Sequence, residues 1–332
     1  MASSGEHTQT GSDLQRMRRV VLIYNPASGQ PANRGKSIID EILALLHAAG
    51  VDAEAIATTA PGSAAAQVRE SVSRGCDTFL ACGGDGTVHE VIQSLIGSEA
   101  ALGVVPLGTA NALASDLGLP LQPLKAAQML LTAIRVRVPV GRIFFRGSDG
   151  AEHSRYFTVA AGIGADAQLM YRLDAKLKRR FGYALYAVEG LRILATHSFP
   201  AFETAFTEFD GSEPRVEVMS QLLAIRIRNF GGMLQNFAPG AALQKHNLRL
   251  VAFKTRNRFD YVSFLAAVVL RRQTFSKRIE ILDAVSVECR ERQGSSARIF
   301  VEADGELLGQ LPARIEIIPN ALTLLVPSRA QH

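Results

Sequence analysis

Asp77-Thr78-Phe79-Leu80-Ala81-Cys82-Gly83-Gly84-Asp85-Gly86-Thr87 is the stretch that decides the fold. A short apolar run feeds a glycine cluster, and Thr87 to Ile96 then reads as helix, so the segment predicts strand, tight loop and helix in succession. Glycines in such a loop let backbone N–H groups approach phosphate oxygens with no Cβ in the way, and the helix N-terminus adds a favourable field. The Thr87 hydroxyl can donate to the same oxygens. Asp85 is the odd member, because a carboxylate repels phosphate unless a cation stands between them. Its presence points to Mg2+, held directly or through water.

The same grammar extends on both sides. Val20 to Tyr24 is a buried strand that ends at Asn25-Pro26-Ala27-Ser28-Gly29. Gly35 to Ala49 has a helix-period apolar face, and Val51 to Ala57 is a second strand. A helix follows Pro61-Gly62. Leu102 to Pro106 is a further strand, ending at Gly108-Thr109-Ala110-Asn111. Strand–helix alternation of this kind predicts an α/β domain with a parallel sheet, helices on both faces, and ligands beyond the C-terminal strand ends. One glycine turn is usually just a turn, but three at one sheet edge, one holding an acid, point to a ligand. Ser28 and Thr109 can donate hydroxyl hydrogen bonds as Thr87 can.

Two other glycine patterns are set aside. Gly35-Lys36-Ser37 resembles the end of a P-loop, but Gln30 stands where that motif needs glycine. Gly162-Ile163-Gly164-Ala165-Asp166-Ala167 fits a dinucleotide pattern, yet a long helix follows where a second strand would be needed, so it reads as a close turn at the domain junction.

Beyond about Val140 the texture becomes mainly β. Strands are expected at Tyr156–Ala161, Ala201–Phe209, Arg215–Arg228, Leu248–Phe253, Ile279–Leu282, Val285–Cys289, Arg298–Ala303 and Arg314–Ile318. Helices are expected at Ala165–Leu194 and Asp260–Arg271. The division is a polar tail over 1–16, an α/β domain over 17–139, a β-rich domain over 140–320, and a final strand and tail over 321–332 that can belong to either domain. A chain of 332 residues suits two cores. Its net charge of +5 favours anionic partners without choosing among them. Cys76, Cys82 and Cys289 lack metal-ligand spacing and read as reduced thiols. No apolar run is long enough to span a bilayer, and the N-terminus does not read as a secretory signal, so a cytoplasmic protein is expected.

Gly83 to Thr87, with Asn25 to Gly29 upstream and Pro106-Leu107-Gly108-Thr109-Ala110-Asn111 downstream, resembles the diacylglycerol kinase catalytic-domain family, which includes sphingosine kinases and bacterial lipid kinases. The likeness continues through Thr58 to Gly62, Lys178-Arg179-Arg180, Asn229-Phe230-Gly231-Gly232 and Asp304-Gly305-Glu306. It implies a nucleotide-binding first domain, a β-sandwich-like second domain, and a cleft where ATP meets a lipid hydroxyl. ATP contacts would fall on Asn25, Pro26, Ala27, Ser28, Gly29, Thr58, Gly83, Gly84, Asp85, Gly86, Thr87 and Thr109. Glu306 would accept the proton, and Asp85 and Asp304 would serve catalysis at the Mg2+ site. On the residues alone, Asp304-Gly305-Glu306 reads either as an extended pair of acids or as a hairpin turn.

The resemblance also implies a lipid substrate met at a membrane surface and peripheral association of a cytoplasmic protein with it, with homodimer formation left open. Nucleic acid is not expected, because the basic residues lack aromatic interleaving. Leu169, Leu173, Leu177 and Phe181 beside Arg172, Lys176 and Arg180 read either as a headgroup-docking helix or as a core-facing helix with a solvated edge. Ala112 stands where bacterial lipid kinases often carry an acid, and Asp116 is the accessory acid nearby. Gln244-Lys245-His246-Asn247 replaces an acidic, metal-holding turn, with Lys245 able to supply the charge. His89 is placed to approach substrate or nucleotide, but the favoured reading is a satisfied, partly buried side chain. A kinase of a soluble alcohol such as NAD, and a non-catalytic lipid- or nucleotide-binding regulator, are the alternatives.

Overall fold

The computed structural model describes residues 17–26, 32–165, 198–208, 213–230, 237–270 and 276–328, together with 167, 192 and 196. Strands β1 (Arg19–Tyr24), β2 (Asp52–Ala57), β3 (Thr78–Gly83) and β4 (Ala101–Pro106) lie parallel in the order β2-β1-β3-β4. β3 and β4 are buried at every position, which is why they read as continuous apolar runs and do not alternate. Helices α1 (Ala32–Ala48), α2 (Ser63–Ser73), α3 (Asp85–Leu95), α4 (Ala112–Asp116) and α5 (Pro123–Leu130) complete this domain. In α3, Val88, Val91, Ile92 and Leu95 recur at helical spacing and are buried in the domain core. Parallel strands place the loops that follow them on one edge.

The second half begins without a break in the sheet. Strand β5 (Ile134–Arg146) pairs antiparallel with β15 (Glu306–Val326), from Ile134 opposite Val326 to Arg146 opposite Gln310. Near its end β15 also pairs parallel with β4, Thr323 on Ala101 and Leu324 on Leu102. Two long strands therefore run through both domains, and the division placed between Pro139 and Val140 falls inside β5. The strand expected at Arg314–Ile318 and the final strand expected within 321–332 are parts of β15, whose register shifts between Ile318 and Leu322. Pro319 and Asn320 sit at that shift and read locally as a gap.

The remaining strands form two layers. One runs through β12 (Ile279–Ala284), β11 (Leu248–Phe253), β10 (Gln221–Ile225), β7 (Ala160–Ile163) and β14 (Phe300–Ala303) into β15. The other runs through β9 (Arg215–Met219), β8 (Phe202–Thr207), β13 (Ser286–Glu291), β15, β5 and β6 (Glu152–Phe157). Phe157, Phe202, Phe206, Leu222, Leu250 and Val301 are buried together in one apolar cluster. An α/β domain with parallel strands is thus joined to a sandwich-like β domain, as the sequence predicts.

Three local expectations change. The strand expected over Arg215–Arg228 breaks at Ser220, whose backbone N–H donates to the Phe253 carbonyl at 2.9 Å. Gly162 and Ile163 belong to β7, and only Gly164, at φ 118, makes the turn. Helix α6 spans Arg258–Val269, and the helix expected over Ala165–Leu194 falls almost wholly outside the described residues. Among the described residues no helix is long and apolar enough to cross a membrane. The three cysteines are buried and unpaired.

Candidate active site

Helix α3 organises the site, because Asp85, His89 and Gln93 lie on one stripe of it at four-residue spacing. Asp85 accepts from the backbone N–H of Asn111 at 3.0 Å and of Ala112 at 2.8 Å. The acid of the first glycine loop thereby caps the start of α4 and stitches the loop after β3 to the loop after β4. The two loops touch so closely that a Cβ on Gly108 would stand 2.4 Å from the Gly84 Cα. Asn111, in the left-handed region at φ 49, closes its loop by accepting from the Gly108 N–H and donating to the Gly108 carbonyl. On another side of α3, Glu90 accepts from the N–H groups of Gly62 and Ala64 at 2.9 and 3.3 Å, fixing the start of α2.

Gln93 and His89 reach the second domain. Gln93 exchanges hydrogen bonds with the Tyr156 backbone, donating to its carbonyl at 2.8 Å and accepting from its N–H at 3.0 Å. His89, almost fully buried, places Nδ1 3.4 Å from Asp304 and Nε2 3.7 Å from Glu306.

Asp304-Gly305 forms the two-residue turn between β14 and β15, with Ala303 opposite Glu306. Their φ values of 49 and 81 suit a type I′ turn. The tripeptide is therefore a hairpin, and the extended reading is replaced, yet both acids still reach α3. The Asp304 carboxylate accepts from the N–H groups of Thr158, Val159 and Ala160 at 3.0, 2.9 and 3.1 Å. Its side chain is 3% exposed, whereas that of Glu306 is 43% exposed. Glu306 Oε1 lies 3.4 Å from the point where a Cβ on Gly86 would stand. Gly86 thus leaves open the space between Glu306 and the first turn of α3.

Burial is the largest influence on Asp85 and pushes its carboxyl above the usual range; the Ala112 and Asn111 N–H groups oppose this and the Asp304 charge adds to it. For His89, burial alone would lower the imidazole pKa. The hydrogen bond and charge of Asp304, with the charge of Glu306, outweigh burial and leave it raised.

The other expected contacts are placed as follows. Asn25 and Pro26 end β1, and Ala27, Ser28 and Gly29 lie outside the described residues. The Thr58 N–H donates to the Tyr24 carbonyl at 2.8 Å, which joins the loops after β1 and β2. Thr87 is buried against Gly83, and Thr109 is exposed at the tip of its loop. Asp116 faces the second domain, accepting from the N–H groups of Arg228 and Asn229 at 2.8 and 2.9 Å. Its carboxylate is a latch between domains and does not stand in for the acid missing at Ala112.

Lys245 donates to the Gly240 carbonyl at 2.9 Å. Arg226, buried in the same region, donates to the carbonyls of Lys245 and Pro139 at 2.8 and 3.0 Å, and burial pushes its pKa down to about 10. The turn without acids is thus held by two cations of the chain itself. Arg226 is the residue that sequence reasoning missed; His89, read as a satisfied buried side chain, is buried and meets Asp304, the partner the sequence did not name. The stripe Asp85, His89, Gln93 was a readable signal for His89's place, and an arginine set between Ile225 and Ile227 in an apolar run was one for Arg226.

The sequence profile of the diacylglycerol kinase catalytic domain matches residues 19–143, and that of the YegS C-terminal NAD kinase beta sandwich-like domain matches residues 158–326. The chain belongs to the diacylglycerol kinase family. It is 28% identical over 314 residues to a diacylglycerol kinase of Bacillus subtilis (strain 168), covering 94% of this chain and 97% of that one. A diacylglycerol kinase of Staphylococcus carnosus (strain TM300) is 25% identical, over 95% of this chain and 97% of that one. The fold matches a crystal structure of a diacylglycerol kinase from Bacillus anthracis str. Sterne with a TM-score of 0.70, at 23% identity, over 93% of this chain and 97% of that one. This diacylglycerol kinase-family chain is a kinase, with the glycine loops on the catalytic-domain match and Asp304 and Glu306 on the sandwich match.

Proposed function

We propose that the protein transfers the γ-phosphoryl group of ATP to the hydroxyl of a membrane lipid, diacylglycerol or a close relative. The observation that carries this reading is the approach of Glu306, from the sandwich domain, to Gly86 at the first turn of α3. A partly exposed carboxylate at that point can accept the hydroxyl proton as the lipid oxygen bonds to phosphorus and the bond to the ADP oxygen breaks. Backbone N–H groups of the loops after β1, β3 and β4 would bind the phosphates.

Asp85 fits a Mg2+ site. Its oxygens accept from the Asn111 and Ala112 N–H groups, and its carboxyl is buried beside a second acid. Among the described residues no group of three or more His, Cys, Asp or Glu side chains could hold an ion alone. Mg2+ is commonly held by one or two carboxylates together with substrate phosphates and water, and when bound it would neutralise phosphate charge. Asp304, saturated by backbone N–H groups, is assigned the role of anchoring the turn that carries Glu306, in place of the metal role expected of it.

Labelled ATP and Mg2+ offered with mixed micelles of diacylglycerol, sphingosine or ceramide, and separately with NAD, test the assignment. Phosphate transfer to a lipid is the expected result. Transfer to NAD alone would make the acceptor a soluble alcohol, and binding without transfer to anything would make the chain a regulator; either result overturns the proposal.

A further inference from the structure

Helix α6 has no polar face. Tyr261, Phe264, Ala267 and Val268 are buried in the apolar cluster that includes Val251, Phe253 and Ile279, or close beside it. On the opposite side Phe259, Val262, Leu265 and Val269 form a stripe at helical spacing, continued by Leu270, and all five are exposed, Phe259 by 81%. A surface helix ordinarily turns a polar face to water, and one that is apolar all round is ordinarily covered on every side. At 12 residues α6 is about 18 Å long, too short to cross a hydrocarbon layer of about 30 Å. An exposed apolar stripe of this kind marks a contact surface.

Charge selects the cover. Between Arg256 and Arg278 the sequence holds six basic residues, Arg256, Arg258, Arg271, Arg272, Lys277 and Arg278, and one acid, Asp260. Six positive charges against one negative make this segment as positive as the whole chain, whose net charge is +5. Asp260 is itself engaged by the Thr255 hydroxyl at 2.7 Å and by Arg278 at 3.4 Å. An apolar stripe carried by a segment of such basic sequence is the pattern of a helix that lies in the interface of an anionic bilayer. A second copy of the chain meeting the stripe across a twofold axis would set one such basic segment against another.

We propose that the outer face of α6 docks on an anionic lipid surface. This deepens the lipid-kinase reading by naming the face that meets the membrane. The inner face of the helix is linked to the domain joint by aromatic contacts: Phe264 lies 5.3 Å from Phe237, and Phe237 5.8 Å from Phe230. Phe230 follows Asn229, whose N–H is held by Asp116 at 2.9 Å. A helix seated in headgroups is thus packed through to the joint between the two domains.

The chain contains no tryptophan, so Phe259→Trp introduces a single indole on the stripe. Its emission is expected to shift to the blue on adding phosphatidylglycerol vesicles, and to be quenched when their acyl chains are brominated. A much smaller shift is expected with pure phosphatidylcholine vesicles. Unchanged emission with phosphatidylglycerol overturns the proposal, and so does a blue shift produced by raising protein concentration without lipid, which would mean that a second copy covers the stripe. As a second arm, Val262→Asp with Leu265→Asp is expected to reduce co-sedimentation with those vesicles at least about tenfold. The unfolding midpoint and turnover of a monomeric short-chain diacylglycerol should stay unchanged. Retained co-sedimentation overturns the proposal. Vesicle binding is read without turnover, so failure of the docking face and failure of the lipid-kinase reading are separate results.

Discussion

Asp85, on the first domain, and Asp304, on the second, are neighbouring buried acids, and their surroundings differ in kind. Asp304 accepts from three successive backbone N–H groups and meets His89. Asp85 accepts from the N–H groups of Asn111, Ala112 and its own residue, and burial, reinforced by Asp304, keeps its carboxyl pKa high despite them. One acid is satisfied by its own chain, whereas the other holds charge that the chain does not neutralise. A saturated buried carboxylate fixes structure, and an unneutralised one marks where a cation belongs.

Removing each acid in turn breaks the comparison if it is wrong. Asp304→Ala leaves three N–H groups without their acceptor, at roughly 1–3 kcal/mol for each buried donor left unpaired. Urea unfolding should show a loss of several kcal/mol, and a loss under about 1 kcal/mol would remove the anchoring role. Asp85→Asn acts on ligand response instead. Mg2+ should raise the unfolding temperature of the nucleotide-bound wild type, by the equivalent of about 2.7 kcal/mol at a hundredfold excess over Kd. It should leave the variant almost unmoved; if Asp304→Asn is the variant that loses the response, the two roles are reversed.

Two smaller effects sharpen the picture of the joints around these acids. Gly108→Ala puts a methyl where only 2.4 Å separates it from the Gly84 backbone. About 1–3 kcal/mol of stability should be lost as the loops part, with weaker nucleotide binding in a titration. Unchanged binding would show that the two loops need not touch.

Asp116 gives the smallest effect. Burial raises its carboxyl pKa, against the Asn229 and Arg228 N–H groups and the Arg228 charge, so the folded state holds that proton more tightly than the unfolded one. Wild-type stability should therefore fall as pH rises from 3.8 through the raised folded value. Asp116→Asn keeps an acceptor for both N–H groups and should flatten that slope, whereas Asp116→Ala should loosen the joint at every pH. Identical pH profiles for wild type and Asp116→Asn would count against the latch.

Much of the first domain was legible because its signals are local. Buried parallel strands read as apolar runs, and each ends at a residue with turn chemistry, Asn25-Pro26 or Gly83-Gly84. The shared strands were not legible, because β5 and β15 pair across most of the chain, and Pro139 and Pro319 interrupt patterns that the sheet tolerates. The burial of His89 was legible, but its partner was not, for the same reason. Its neighbours on α3 announced a stripe, but Asp304 lies 215 residues away. Asp304-Gly305 was readable as a turn from its own chemistry, while the three N–H groups that hold Asp304 come from a segment no local rule connects with it. Of the residues proposed for the site, those on α3 and its loop follow from strand–loop–helix grammar, and those on the hairpin needed the fold.

The central claim is that the two sides of the cleft make one phosphoryl-transfer site, with Glu306 accepting the proton. Glu306→Gln tests it most directly, assayed with labelled ATP on diacylglycerol micelles beside a nucleotide-binding titration. The account predicts a fall in kcat of about 10²–10⁴ with nucleotide affinity and unfolding midpoint unchanged. Turnover within about twofold of wild type would contradict it, because general-base catalysis cannot be lost so cheaply.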